Sequence, residues 1–206
     1  MVECGHGAQS PKHRRKFLEV PLILASKSPR RAKILRGLGL DFTVLVTEAE
    51  EVSLPREPEH TVVANATLKL EAARRVRPDA AVLAADTIVW YADRIYGKPR
   101  DLDEARRTLR ELSGRVHTVF TGVAFALPGG ETLTATARSD VKFRELSDEL
   151  IERYVALVNP LDRAGSYDID DYGQIVVESY TGSYENIMGL PVEPVRSWCR
   201  APAAAG

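Results

Sequence analysis

Val20-Pro21-Leu22-Ile23-Leu24-Ala25-Ser26-Lys27-Ser28-Pro29-Arg30-Arg31 passes from an apolar run, through a hydroxyl-rich turn, to a pair of cations. A short apolar run bounded by turn residues reads as a buried strand, and Ile34, Leu35 and Leu38 follow at helical spacing. Ser28 suits the N-cap of that helix, and Pro29 at the first helical position brings a fixed φ and no wasted N–H. The positive end of a helix dipole favours acidic side chains in its first turn, yet Arg30 and Arg31 stand there. Two readings follow: a solvated basic helix start, or a strand–turn–helix phosphate site in which an anion offsets the two cations.

The alternation begun here continues downstream. Phe42, Val44 and Val46 suggest a second strand, and a helix over 61–76 turns Val62, Ala66, Leu70 and Ala73 to one face, with Lys69 beside it. Ala80 to Ala85 is a small-apolar run of the kind found in a sheet covered on both faces. It ends at Asp86-Thr87, with Ile88, Val89 and Trp90 carrying it onward and Asp93-Arg94 turning it back to Ile95-Tyr96. A helix over 102–112, closed by Ser113-Gly114, precedes two β-prone runs, 116–126 and 132–143, joined at the hairpin signal Pro128-Gly129-Gly130. Ser147 caps a helix over 148–158, which Asn159-Pro160 stops. Residues 161–171, rich in Gly, Asp and Tyr, read as a functional loop. A last strand over 174–179, a short segment over 184–188 and a closing helix over 192–199 complete an α/β domain with a mixed sheet.

With 206 residues and 44% hydrophobic content, the chain can bury a full core as a single, two-lobed domain. The formal net charge of −1 argues against general nucleic-acid binding, so any anion recognition is local. Two cysteines, Cys4 and Cys199, far apart, give no zinc spacing and favour a reducing, cytoplasmic setting. Residues 1–19 are polar and basic and read as a disordered extension; 201–206 read as a frayed tail. Arg14-Arg15-Lys16 resembles a twin-arginine signal only superficially, because the apolar run after it stops at Ala25 and meets charge. No segment approaches the roughly 20 apolar residues of a membrane span.

Asp86 is the most informative single residue. A carboxylate ending a small-apolar strand is expected at a sheet edge facing a crevice, as a general base, a metal ligand or simply a turn cap. Lys98, between Gly97 and Pro99, suits a phosphate or base contact, or is one surface lysine among many. Glu48, Glu50 and Glu51 form a solvated acidic turn unless the fold brings one to Asp86, where it would help hold a metal or activate water. His117, in a β-prone run, reads as a hydrogen-bonded core histidine rather than a ligand. The Walker A, Gly-x-Gly-x-x-Gly and Gly-x-Ser-x-Gly patterns do not occur, which removes the main support for kinase, dehydrogenase and α/β-hydrolase readings.

Taken together, the chain resembles the Maf-like nucleoside triphosphate pyrophosphatases, a family historically linked to septum formation. The resemblance rests on Ser26-x-Ser28-Pro29-Arg30-Arg31, Ala85-Asp86-Thr87, Gly97-Lys98-Pro99, Leu112-Ser113-Gly114-x-x-His117, Thr121-Gly122-Val123, Asp162-Arg163-Ala164-Gly165-Ser166-Tyr167 and Gly189-Leu190-Pro191, in that order. It implies an elongated, inosine triphosphatase-like α/β fold with the site in a cleft between two lobes. It also implies cleavage of a nucleoside triphosphate between its α- and β-phosphates with a divalent cation, magnesium, manganese or cobalt. A homodimer is compatible with it; a nucleic-acid or membrane partner is not expected.

By position, the resemblance makes Asp86 the general base, with Glu51 assisting and both as candidate metal ligands. Ser26, Arg30, Arg31, Lys69 and Lys98 become substrate-binding residues, and Arg30, Thr87 and Asp170 the specificity positions. Asp86-Thr87 resembles the dTTP/UTP subgroup, whereas Ser-Asp-Gln marks relatives acting on 7-methyl-GTP. Two departures stand out. Asp170 replaces the Gln of Tyr-Gly-Ile-Gln, and an ionised Asp only accepts hydrogen bonds, which suits a cytosine amine better than a uracil O4. Lys33 stands where the family often has Glu, with no functional reading attached. The same reaction on CTP, 7-methyl-GTP or another modified nucleotide, and a non-catalytic nucleotide-binding regulator of cell division, are the alternatives.

Overall fold

The computed structural model describes residues 19–199. The expectations for the basic extension, the frayed tail and Cys4 lie outside the described residues, Glu19 apart. Strand β1 (Leu22–Ala25) leads to helix α1 (Pro29–Gly37), a two-residue strand β2 (Thr43–Val44) and the long helix α2 (Pro58–Val76). Strands β3 (Ala81–Tyr91) and β4 (Arg94–Tyr96) precede α3 (Leu102–Leu112) and the long hairpin of β5 (Val116–Ala126) and β6 (Leu133–Phe143). Then come α4 (Asp148–Leu157), two 3-10 turns (Pro160–Asp162 and Ala164–Ser166), α5 (Gly173–Val176), β7 (Val177–Thr181), α6 (Tyr184–Ile187) and α7 (Val192–Trp198). Ser28, Asp101, Ser147 and Ser183 cap α1, α3, α4 and α6 with their side chains.

One mixed sheet runs β2-β1-β3-β5-β6-β7, with β4 added to β3. β1 pairs in parallel with β2 and β3, and the remaining pairs are antiparallel. Alternation along β1, β3 and β5 divides their side chains between two faces. Ile23, Ala25, Val82, Ala84 and Ala124 pack under Ala66, Leu70 and Ala73 of α2. Leu22, Leu24, Ala81, Leu83 and Val123 pack against Ala32 and Leu35 of α1 and Val195 of α7. A separate core gathers Val119, Val141 and Phe143 with Leu109, Leu112, Ile151 and Tyr154 of α3 and α4. The first two clusters cover opposite faces of one end of the sheet and the third lies at its other end, so the single domain has two lobes.

Three boundaries differ from the sequence reading, each for a physical reason. The strand runs on past Asp86 as expected, to Tyr91, with β5 paired alongside it as far as Trp90, so Asp86 lies within β3 rather than at its end. What ends is the neighbour, because β1 stops opposite Ala84 and β4 begins opposite Val89, leaving 85–88 without a strand on that side. The second strand shrinks to two residues because β1 offers register only at Ile23 and Leu24. α2 begins at Pro58, which supplies its first turn rather than a loop. The expected strand over 174–179 becomes a helical turn followed by β7, since β6 reaches no farther than the Phe143–Val177 pair.

Helix α2 lies close against the sheet at Gly122, where a Cβ would lie 2.5 Å from the backbone carbon and oxygen of Val62. Gly122 is the register partner of Asp86, so backbone contact here sets the height of α2 above that carboxylate. Gly122→Ala is expected to cost roughly 1–3 kcal/mol by overpacking, read by denaturant unfolding, and to reduce activity beyond that loss because α2 must lift.

His117 is the core histidine expected from the sequence. It is 1% exposed, its Nε2 lies 3.0 Å from the Tyr167 hydroxyl, and its ring meets Phe143 edge-on. Burial pushes its pKa from 6.5 down to about 3. The unfolded chain therefore binds the extra proton first, so this stabilisation is complete above pH 6.5 and is lost as pH falls towards 3. The slope is at most about 1.4 kcal/mol per pH unit. His117→Gln, which keeps a polar group at the Nε2 position, should flatten unfolding free energy in that window relative to wild type. An unchanged pH profile would contradict the assignment.

Candidate active site

Between the two lobes lies a cleft of about 880 Å³. Its lining brings together Ser26, Arg30, Arg31, Glu51, Lys69, Asp86, Thr87 and Lys98, eight of the nine positions singled out in the sequence. Asp170 lies outside that lining.

Adjacent residues of a strand face opposite sides. Asp86 points towards α2 and Thr87 towards α1, and each finds its partners there. The Asp86 carboxylate receives Lys69 Nζ at 2.6 Å on Oδ1 and Asn65 Nδ2 at 3.0 Å on Oδ2. Lys69 and Asn65 are four residues apart on α2, so they present side by side. Lys69 also meets Glu51 Oε1 at 2.8 Å, so two carboxylates converge on one ammonium. Asn65 also bonds to the backbone of Val52, accepting from its N–H at 2.8 Å and donating to its carbonyl at 3.0 Å. That bidentate grip fixes the irregular segment carrying Glu51. Sequence reading missed Asn65. Its signal was an amide inside an apolar helix face, where a buried polar group requires partners.

The two arginines of α1 diverge. Arg31 turns inward and donates Nε to the Gly189 carbonyl at 2.8 Å and Nη2 to Thr87 Oγ1 at 2.9 Å. Its Nη1 donates to Ser26 Oγ at 3.0 Å and to the Ala85 carbonyl at 2.9 Å, beside the gap between β1 and β4. Four of its five N–H donors are thus taken by the protein. Gly189 makes room for this, since a Cβ there would lie 3.1 Å from Thr87 Oγ1 and 3.4 Å from Arg31 Nε, at a φ of +99° that favours glycine. Thr87 shares a 3.0 Å hydrogen bond with Thr121, whose own hydroxyl is directed at the Asn186 carbonyl. Thr87 braces Arg31 before it touches anything else. Ser26 Oγ accepts from both Arg31 and the Ser28 N–H, so what remains free is its O–H, a donor facing the cleft.

Arg30 reaches across to the 162–168 loop, with Nη1 on Asp168 Oδ2 at 3.2 Å and Nη2 on the Asp162 carbonyl at 3.4 Å. Burial, then the charge of Arg163, push its pKa down. Lys98 meets Asp162 Oδ1 at 2.6 Å. Burial would raise the Asp162 carboxyl, but Lys98, Arg30 and Arg163 together outweigh it and hold the group below its usual value. Gly165 docks this loop on the sheet: its N–H donates to the Gly97 carbonyl at 3.1 Å, and a Cβ would strike Val89 at 2.7 Å.

The two departures noted in the sequence are bonded to each other. Lys33 Nζ lies 2.5 Å from Asp170 Oδ2, and the Tyr184 hydroxyl donates to Asp170 Oδ1 at 3.0 Å. The hydrogen bond from Lys33 holds the Asp170 carboxyl below its usual pKa. The Asp170 carboxylate is therefore engaged by Lys33 and Tyr184, and it lies outside the residues that line the cleft. Glu48 also lines the cleft, whereas Glu50 does not.

A divalent cation was an expectation of the resemblance. Among the described residues no group of three or more His, Cys, Asp or Glu forms a metal cage. The convergence of Glu51 and Asp86 on one point nevertheless fits an ion of the magnesium type, which takes one or two carboxylates and completes its shell with water and substrate phosphates. Among the described residues no helix is long and apolar enough to cross a membrane.

Comparison with known proteins bears on the fold and the family. The fold is shared with the Ham1 protein of Staphylococcus aureus, at a TM-score of 0.52 and 16% identity, over 86% of this chain and 97% of that one. The chain is 42% identical over 178 residues to a dTTP/UTP pyrophosphatase of Akkermansia muciniphila, covering 85% of this chain and 93% of that protein. It is 43% identical over 172 residues to a dTTP/UTP pyrophosphatase of Bacillus cereus, covering 83% and 90% respectively. With residues 21–201 matching the model of the Maf-like proteins, the chain belongs to that family.

Proposed function

We propose that this chain is a nucleoside triphosphate pyrophosphatase that hydrolyses the α–β anhydride of dTTP and UTP to the nucleoside monophosphate and pyrophosphate. The observation that carries the reading is the Asp86 carboxylate, held on one oxygen by Lys69 and on the other by Asn65 within the cleft. The names of the relatives at 42–43% identity point to the same substrates.

Each part of the site has a role consistent with its geometry. The Ser26 hydroxyl, the Arg30 backbone N–H in the first turn of α1, and Lys98 offer donors to phosphate oxygens. Arg31 keeps those donors in place, since it ties Ser26 on α1's side of the cleft to Ala85 and Thr87 on β3. Lys69 and Asn65 orient Asp86 towards a water. The water oxygen forms the new P–O bond, its proton passes to Asp86, and the anhydride P–O bond opens with its electron pair on the departing phosphate group. A divalent cation held by Glu51 and Asp86 would supply charge neutralisation for the polyphosphate. Cys199, the one cysteine among the described residues, is buried and free, in keeping with a cytoplasmic setting.

A preference for CTP would require the Asp170 carboxylate to meet the base. Lys33 and Tyr184 bind that carboxylate outside the cleft, so position 170 gives CTP no support.

Two measurements test the proposal. Asp86→Asn should lower pyrophosphate release from UTP by roughly 10²–10⁴-fold while thermal unfolding stays close to wild type; near-normal turnover would remove Asp86 from the role of base. Asp170→Gln should leave the ratio of kcat/KM for UTP over CTP within about twofold, since a solvated rim position contributes little to discrimination. A shift of tenfold or more would return the base contact to Asp170.

A further inference from the structure

The loop that carries Asp170 holds a second carboxylate, and this one faces inward. Asp168 stands where the family pattern Tyr-Gly-Ile-Gln has glycine; it lines the cleft and is 5% exposed. Its backbone is fixed from the core of the second lobe, where its N–H donates to the Tyr154 hydroxyl at 3.0 Å and that hydroxyl donates back to its carbonyl at 3.4 Å. Its Oδ1 accepts from the N–H groups of Asp170, at 2.9 Å, and Asp171, at 3.4 Å, closing a local turn. The other oxygen, Oδ2, is thereby aimed at two guanidinium groups: Arg30 Nη1 at 3.2 Å, and Arg163 Nε in ion-pair contact at 2.8 Å.

Arg30 sits in the first turn of α1, beside the donors assigned to phosphate. Asp168 draws it instead to the opposite wall, where the Asp162 carbonyl takes a second N–H. Without that carboxylate, only Asp162, already paired with Lys98 at 2.6 Å and 3.7 Å from Arg163, would offset the like charges of Arg30 and Arg163, so the placement leans on Asp168. Three of the five Arg30 donors remain for a ligand. A guanidinium only donates, so the wall it forms suits a keto oxygen and opposes an amine.

Resting on the pyrophosphatase reading above, we propose that Asp168 is the positioning residue for base selection. It holds Arg30 against the 162–168 loop, where the guanidinium meets the O4 keto oxygen of uracil or thymine and rejects the N4 amine of cytosine. The discrimination then comes from Asp168, acting through Arg30, and not from position 170.

UTP and CTP share sugar and phosphates and differ at that one exocyclic group, so their kcat/KM ratio reads the effect directly. Asp168→Asn keeps an acceptor for the local turn but removes the charge that holds Arg30. It is expected to lower the UTP/CTP ratio by about tenfold, mainly by raising KM for UTP with kcat little changed, as loss of one base contact would. Arg30→Ala should lower the ratio by as much, and the double variant should be no worse than Arg30→Ala alone, because both act through one contact. An unchanged ratio in folded Asp168→Asn, additive losses in the double variant, or equal losses on UTP and CTP would each overturn the proposal. Should Asp168→Asn fail to fold, Arg30→Gln carries the same test, and a retained ratio overturns it. Should wild-type protein release no pyrophosphate from any nucleoside triphosphate, the hydrolase reading fails by itself. The ratio of dissociation constants for UTP and CTP, measured by calorimetry on the same variants, then decides the role of Asp168.

Discussion

The site depends on how closely α2 can lie on the sheet. At Gly122 the helix backbone occupies space that any side chain would fill, and Gly122 is the strand partner of Asp86. That single close approach puts Asn65 and Lys69 within hydrogen-bonding distance of the carboxylate. A higher helix would leave Asp86 largely buried without its donors, a costly state for a charge. It would also release the segment at Val52, and with it Glu51, which Asn65 holds.

The second constraint is a gap. Where β1 has ended and β4 has not begun, β3 exposes one edge over four residues in the middle of the sheet. Unpaired backbone polar groups in a protein interior need partners, and Arg31 supplies one by donating to the Ala85 carbonyl. The same side chain ties down Ser26, Thr87 and Gly189. Asp86 and Thr87 can be neighbours yet belong to different networks because a strand alternates its faces. One carboxylate goes to α2, one hydroxyl goes to α1, and the cleft opens between them.

The loop over 162–172 explains why sequence departures are best read in pairs. Lys33 and Asp170, each odd by itself, form one ion pair joining α1 to this loop, with Tyr184 adding a hydrogen bond from α6. Asp168, buried against two arginines, is the more consequential acid. In the sequence the family resemblance singles out Asp170, and nothing in Tyr167-Asp168-Ile169-Asp170-Asp171 marks Asp168 as the buried one. Burial separates them, and burial belongs to the tertiary structure.

The sequence by itself determined the succession of elements, because apolar periodicity, caps and turn residues are local signals. It located α1 from Ser28 and Pro29, the hairpin from Pro128-Gly129-Gly130, and His117 as a core residue. Eight of its nine site positions share one cleft, since the motifs that carry them recur together in a family. Boundaries failed where a strand's length depends on its partner, as for β2 and β7, and partners are not local. The tertiary structure alone decided that Asn65 grips both Asp86 and Val52. It likewise decided that Arg31 is spent on the protein while Arg30 crosses the cleft, and that Asp170 faces outward and Asp168 inward. The physical reason is common to all of these. Whether a polar side chain serves a ligand or the fold depends on which acceptors lie within about 3 Å of it, and here those acceptors come from residues up to 158 positions away in the chain.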